Sequence, residues 1–187
     1  MNLKKALTFI AFGFLFTLVD LNLTVNGSQI NFTPDFIGWV LLFMAFDNLG
    51  DYVKDKIYLK WLSLILTVVY AVIWFLDFAK PELSTDLIKT PAAIGSTIYM
   101  FILFGVLGKV AHDYGSKRES TIRMLKILNL VLYVAILVLS LFIHSEEDTV
   151  IAMIMIVLGA AIIVCAIITA VVLFKLKNEV NSILEKE

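Results

Sequence analysis

The sequence predicts an all-α integral membrane protein with six transmembrane helices arranged as three hairpins and with both termini in the cytoplasm. Three observations carry this prediction. Of the 187 residues, 60% are hydrophobic and only 17% are charged, with a mean hydropathy of +0.94, which is too apolar for one soluble core. Six charge-free stretches are separated by short polar segments. Finally, lysine and arginine fall almost entirely on one side of the resulting topology.

Each predicted helix corresponds to one charge-free stretch. A bilayer core of about 30 Å requires roughly 20 helical residues, and fewer where polar ends reach the interface. The stretches are 6–19, 36–46, 61–76, 90–108, 127–143 and 149–174. They form hairpins at about 5–50, 61–110 and 122–178 in a single transmembrane domain of residues 1–187, with a cytoplasmic tail at 175–187. The second stretch is the shortest, and its length alone also fits a re-entrant or interfacial segment.

The basic residues decide whether the second stretch spans the membrane. With six spans and an inside N-terminus, thirteen of the fifteen Lys and Arg residues lie inside, and only Lys80 and Lys89 lie outside. If the second stretch is not a span and Lys4 and Lys5 stay inside, four lie inside and eleven outside. Because short cytoplasmic loops retain Lys and Arg, the six-span topology is favoured.

A repeated signature links the first two hairpins. Residues 33–38 read TPDFIG and residues 90–95 read TPAAIG, and an aspartate lies thirteen residues before each threonine, at Asp20 and Asp77. At an offset of 57, positions 20–38 match 77–95 at five of nineteen residues. The pattern predicts that these hairpins form a parallel internal repeat, related by an axis along the membrane normal. Whether the third hairpin is a diverged copy stays open.

The same signature predicts where the second and fourth helices begin. Thr33 and Thr90 are predicted N-caps, because their hydroxyl groups can accept a backbone N–H. Pro34 and Pro91 are predicted first helical residues, where the missing N–H removes no hydrogen bond.

A resemblance is carried by residues 32–49, FTPDFIGWVLLFMAFDNL, which follow a helix ending in VDLNL. This segment resembles uncharacterised small polytopic membrane proteins of Gram-positive bacteria, which have a Pro-Asp-Phe-Ile-Gly-aromatic stretch after their first helix. The resemblance covers about the first fifty residues. It implies a multi-pass protein of the bacterial cytoplasmic membrane and implies no particular reaction.

The residues most suited to a binding site lie at the predicted extracellular ends of helices one to four. A carboxylate at this depth is costly unless it is paired or hydrated, and free N–H groups at neighbouring helix starts would stabilise it. In one interpretation each aspartate only caps the partner helix of its own hairpin and so holds the two helices together. In the other they form a pocket for a cation or an amine-bearing molecule, with tryptophan walls. The candidate ligand-binding residues are Asp20, Asp77, Asp35, Thr33, Thr90, Trp39 and Trp74.

A second group of carboxylates follows the second helix at its cytoplasmic end. Asp47, Asp51 and Asp55 are spaced by four residues, so a continuous α-helix would place them on one face. Three carboxylates there are candidates to hold Mg²⁺ for chemistry on a phosphorylated lipid or nucleotide. The alternative is a solvated helix end, with the intervening lysines and Gly50 breaking the pattern. Other catalytic signatures are missing from the sequence, so a membrane enzyme is disfavoured.

Two functional hypotheses follow. The first is a ligand-binding or permease-type subunit with a polar site outside. The second is a non-catalytic accessory or regulatory membrane protein that acts through protein or lipid contacts. Its basic inner loop, KVAHDYGSKRESTIRMLK (109–126), suits anionic headgroups, although the topology rule alone also accounts for it. The predicted partners are the lipid bilayer and, as an open alternative, another membrane protein or transport subunit. The sequence leaves any cofactor unknown, and a nucleic-acid partner is not expected.

Overall fold

The computed structural model describes residues 2–17, 22–25, 28–31, 34–79, 86–140 and 149–185, with only the backbone described for the two strands. Within these ranges the chain forms six α-helices, a two-stranded antiparallel hairpin and one 3₁₀ helix. The elements are α1 Leu3–Phe16, β1 Asn22–Val25, β2 Ser28–Asn31, α2 Asp35–Phe46, the 3₁₀ helix Gly50–Lys56, α3 Ile57–Ala79, α4 Asp86–Asp113, α5 Glu119–Ser140 and α6 Thr149–Leu184.

Four helices are long and apolar enough to cross a membrane, and they correspond to α3, α4, α5 and α6. The other two are shorter. Helix α1 has 14 residues and α2 has 12, so at 1.5 Å per residue they are roughly 21 and 18 Å long. Both lengths are below the roughly 30 Å of a bilayer core. The prediction of six helices is therefore confirmed, and membrane-spanning length is confirmed for four of them.

Consecutive helices pack side by side, and α6 returns to α1, so the six helices form a closed ring. Ion pairs show how their ends are arranged. Lys4 at the start of α1 contacts Glu185 after α6 at 3.0 Å, and Lys60 at the start of α3 contacts Asp47 after α2 at 2.5 Å. The starts of α1, α3 and α5 thus meet the ends of α2, α4 and α6. We call the end of the bundle where these helix starts and ends meet the basic end, and the opposite end of the bundle the hairpin end.

The core lies where α4 packs against α1 and α2. Trp39 of α2 is 2% exposed, and its ring stacks on Tyr70 of α3 and meets Tyr99 of α4 edge-on. Phe14 of α1 packs edge-on against Phe104 of α4. Aromatic residues bury large apolar areas, so these contacts tie four helices to one centre.

Helices α1 and α2 approach each other closely through two glycines. A Cβ atom at Gly38 would lie 2.6 Å from the carbonyl oxygen of Gly13 and 2.5 Å from Thr17 Cγ2. A Cβ atom at Gly13 would lie 2.9 Å from the carbonyl oxygen of Gly38. Atoms cannot approach this closely, so the packing requires glycine on both helices.

The outer faces of the long helices carry large apolar side chains. Phe75 of α3, Ile127 of α5 and Ile156 of α6 are 61%, 61% and 71% exposed. Water would disfavour such continuous apolar surfaces, whereas lipid would solvate them. Burial and exposure are thus arranged for a membrane protein, and the ion pairs lie near the helix ends.

The helix starts differ from the predictions. Helix α2 begins at Asp35 with Pro34 as its N-cap, one residue later than predicted, and Thr33 lies outside the described residues. The prediction for the fourth helix was wrong, because α4 begins at Asp86 and already contains Thr90 and Pro91 in its second turn. Because α4 starts at Asp86, Pro91 removes one helical hydrogen bond, the one that an N–H at position 91 would donate to the carbonyl oxygen of Leu87.

The β-hairpin was not predicted. Strands β1 and β2 pair with Val25 opposite Ser28, so the connection is the dipeptide at 26–27, Asn-Gly. Asn-Gly between alternating apolar residues is a strong hairpin signal because both residues accept positive φ angles. Strand β2 also packs against α3. Residues 22–25 and 28–31 therefore form a strand pair that lies against α3.

Candidate functional sites

Some residues of the predicted extracellular binding site instead make contacts that hold the helices together. At the hairpin end the carboxylate of Asp77 lies 3.1 Å from the ammonium nitrogen of Lys89, and both side chains are about half exposed. This ion pair joins α3 to α4, as the hairpin-joining interpretation expects, although its partner is a lysine side chain rather than a helix-capping group. Asp20 lies outside the described residues, so its predicted role stays a prediction.

The two candidate tryptophans have different surroundings. Trp39 is buried among aromatic rings in the core and is not a pocket wall. Trp74 lies at the hairpin end, where Phe36 of α2 meets it edge-on and Phe78 stacks on it. Asp35, next to Phe36, is half-buried in the first turn of α2 and interacts with neighbouring residues. The structure therefore brings Asp35 and Trp74 to one end of the bundle and assigns Trp39 to its interior.

Thr90 lies on a different surface. It is exposed and lines a groove of about 380 Å³ between α4 and α5, together with Lys89 and Tyr133. Most of the other lining residues are apolar, such as Ile94 and Leu137. The five predicted ligand-binding residues that the structure describes thus do not converge on one pocket.

The carboxylates of the predicted metal site do not share one α-helical face. Helix α2 ends at Phe46, Asp47 is its C-cap, and Asp51 and Asp55 belong to the following 3₁₀ helix. A 3₁₀ helix has three residues per turn, so a spacing of four no longer aligns side chains. Gly50, with a φ of 57°, interrupts the helical backbone between Asp47 and Asp51. The one-face prediction was therefore wrong.

One carboxylate of this group, that of Asp47, has another partner. Asp47 is bound by Lys60. In the described part of the chain, no group of three His, Cys, Asp or Glu residues could hold a metal ion. Nearby, burial and the carboxylate of Asp113, to which the Tyr52 hydroxyl group donates a hydrogen bond, raise the pKa of Tyr52 to about 12. The contact joins the 3₁₀ helix to the end of α4.

The α4–α5 turn is locked to α6 at the basic end. Glu179 of α6 accepts a hydrogen bond from the Ser116 hydroxyl group and one from Arg118 Nε at 3.2 Å. Gly115, with a φ of 58°, allows the tight turn that presents these groups. Because one carboxylate satisfies two donors from the turn, the ends of α4, α5 and α6 are held in a defined arrangement.

A cleft next to this turn has a strongly basic lining. Its volume is about 210 Å³, and it lies between α4 and α5. The lining residues are Phe104, Gly105, Gly108, Lys109, His112, Arg123 and Lys126. We call it the basic cleft. Its charges belong to the basic loop that is visible in the sequence, whereas its floor was not predicted, although Gly105 and Gly108 lie one helical turn apart beside Lys109.

Glu119 organises one side of the basic cleft. Its two carboxylate oxygens contact Arg123 Nη2 at 2.7 Å and His112 Nδ1 at 3.0 Å. On the other side, Lys126 Nζ lies 4.0 Å from the centre of the Phe101 ring. A cation at this distance is attracted to the ring face, so the ammonium group is held beside apolar surface.

Comparisons of the whole chain with protein-family models, with curated proteins and with solved structures give no match.

Proposed function

We propose that the protein spans the bacterial cytoplasmic membrane six times, with the basic end in the cytoplasm. The proposal is supported by the ion pairs that bring both chain ends, the α2–α3 connection and the α4–α5 turn to one end. Fixed positive charge is retained on the cytoplasmic side. Because α1 and α2 are short, their pair crosses the bilayer together with the β-hairpin, which packs beside the longer α3.

The topology is testable by single cysteines in a Cys165→Ala background. Cysteines at Ser28, Ser84 and Ser145 should react in intact cells with an impermeant thiol reagent, and those at Ser120 and Ser182 should react only after permeabilisation. Ser120 and Ser182 are exposed at the basic end, whereas Ser116 is buried and bonded to Glu179, so it is unsuitable. Labelling at Ser120 from outside would contradict this orientation.

Functionally, we propose a non-catalytic accessory or regulatory membrane protein that acts at its basic end through contacts with lipid or a protein partner. The observation that carries this proposal is the basic cleft, which has three Lys and Arg residues in its lining and lies between two helices long and apolar enough to cross a membrane. The hairpin end supports it as well, since Asp77 is paired with Lys89 and Trp39 is buried.

A second candidate is the ligand-binding or permease-type subunit. The observation in its favour is that Asp35 is half-buried at the start of α2 beside the Phe36–Trp74 contact, with Asp77 one turn further along α3. Two carboxylates and an aromatic wall at one end of adjacent helices suit a small cation or amine.

One experiment separates the two functions. Purified protein is screened by thermal unfolding against inorganic cations, amines and vitamin-like molecules, using the wild type and the double variant Asp35→Asn/Asp77→Asn. The accessory function predicts no small-molecule stabilisation in either protein. A compound that raises the wild-type midpoint by several degrees and has no effect on the double variant would instead establish the outer site.

A further inference from the structure

The basic cleft carries more positive charge than its protein partners neutralise. Lys109, Arg123 and Lys126 contribute three fixed positive charges to its lining, and Glu119 holds Arg123 together with His112. In the described part of the chain, Lys109 and Lys126 form no ion pair. Lys126 is half-buried with its ammonium group beside the Phe101 ring, so a bound anion would stabilise it.

The floor of the cleft is open because α4 has glycines there. A Cβ atom at Gly105 would lie 3.4 Å from Lys126 Nζ, and one at Gly108 would lie 3.8 Å from Arg123 Cγ. Side chains at these positions would occupy the space over which the basic groups of α5 extend. The cleft therefore has both the charge and the room for an anionic group.

The position of the cleft indicates which anion it receives. It lies at the basic end of the α4–α5 seam, and the apolar groove lined by Ile94, Ile98 and Leu137 lies further along the same seam. Both helices are long and apolar enough to cross a membrane, and α5 exposes Met124 and Ile127 beside the cleft. A soluble anion would use only the charged part, whereas a phospholipid would occupy both.

We propose that the α4–α5 seam is a binding site for one anionic phospholipid. Lys109, Arg123 and Lys126 bind the headgroup phosphate, and an acyl chain lies in the apolar groove toward the hairpin end. Arginine and lysine are well suited to phosphate oxygens, and basic pockets between transmembrane helices on the cytoplasmic side select anionic headgroups. The inference rests on the proposed accessory function and names the lipid as its ligand.

The test uses the full-length protein, delipidated in a neutral detergent. Thermal unfolding midpoints are measured during titration with dioleoyl phosphatidylglycerol, with dioleoyl phosphatidylcholine, or with glycerol 3-phosphate, and native mass spectrometry counts bound lipids. Phosphatidylglycerol should stabilise the wild type saturably with one bound lipid. Phosphatidylcholine, with the same chains, should bind at least about tenfold more weakly, and glycerol 3-phosphate should have no effect at millimolar concentration.

Two variants locate the site. Lys109→Gln/Lys126→Gln should weaken phosphatidylglycerol binding about tenfold or more. The matched control Lys175→Gln/Lys177→Gln removes two lysines of α6 from the same end of the bundle and should stay within twofold of the wild type. Gly105→Leu keeps every charge and fills the cleft, so it should weaken binding as well; its fold is checked by circular dichroism.

Three results would overturn the proposal. Equal losses of phosphatidylglycerol affinity in the two double-lysine variants would indicate that the lipid is attracted to the basic end in general. Wild-type affinity in a folded Gly105→Leu protein would place the lipid elsewhere. Stabilisation by glycerol 3-phosphate as strong as that by the lipid would indicate a soluble phosphate site. Each of these leaves the accessory function open through protein contacts, whereas a hit at the outer site in the small-molecule screen contradicts that function itself.

Discussion

The α1–α2 and α3–α4 pairs carry the same Thr-Pro and Ile-Gly signature but use it differently. Pro34 precedes α2 as its N-cap, whereas Pro91 lies inside α4. Gly38 touches the backbone of α1, whereas a Cβ atom at Gly95 would only meet Leu66 Cδ2 at 3.4 Å, an ordinary contact. Identical letters therefore do not imply identical packing. The duplication itself remains a prediction, since the pairs differ in helix length, helix start and closeness of approach.

The largest expected contrast is between the two tryptophans. Trp39→Ala should reduce the free energy of unfolding by about 3–5 kcal/mol, because it removes a fully buried ring from between α3 and α4. Trp74 is only partly buried and keeps its neighbours at the hairpin end, so Trp74→Ala should cost about 1–2 kcal/mol. Thermal and denaturant unfolding in one detergent measure both. Equal losses of unfolding free energy in the two variants would mean that Trp39 does not anchor the core.

The next contrast is between the matched glycines. Gly38→Ala should destabilise the protein by about 1–3 kcal/mol, because the new methyl group meets the carbonyl oxygen of Gly13 and forces α1 away. Gly95→Ala should be neutral or stabilising by up to about 1 kcal/mol, since alanine favours helix and the site has room. The same unfolding measurements test the pair. If the two helix pairs packed in the same way, both substitutions would instead cause similar losses of stability.

The smallest expected effect concerns the ion pair at the hairpin end. Asp77→Asn should cost no more than about 1 kcal/mol, because both partners are partly exposed and solvent screens their attraction. A double-mutant cycle with Lys89→Gln isolates the pair and should give a coupling energy below about 1 kcal/mol. A coupling of several kcal/mol would show that Asp77 has a larger role than joining α3 to α4.

Some of the candidate site was readable in the sequence, and some was not. The basic loop at 109–126 was visible as a charge cluster, but its cleft depends on Gly105 and Gly108 lying opposite Arg123 and Lys126. Only the α4–α5 turn brings those residues together. Similarly, the Asp47, Asp51 and Asp55 pattern assumed a continuous helix, and the positive φ of Gly50 interrupts it. Spacing rules hold within one regular element and fail where its backbone changes conformation.

By itself the sequence determined the class of protein, the number of helices, their approximate positions and the side that collects basic charge. These properties depend on hydropathy and charge along the chain, which are set by each residue's own free energy of transfer between water and lipid. The tertiary structure decided which glycine touches backbone, which tryptophan enters the core and which lysines line the basic cleft. Those outcomes depend on how each helix is rotated toward its neighbours, and that rotation follows from packing between distant segments rather than from local sequence.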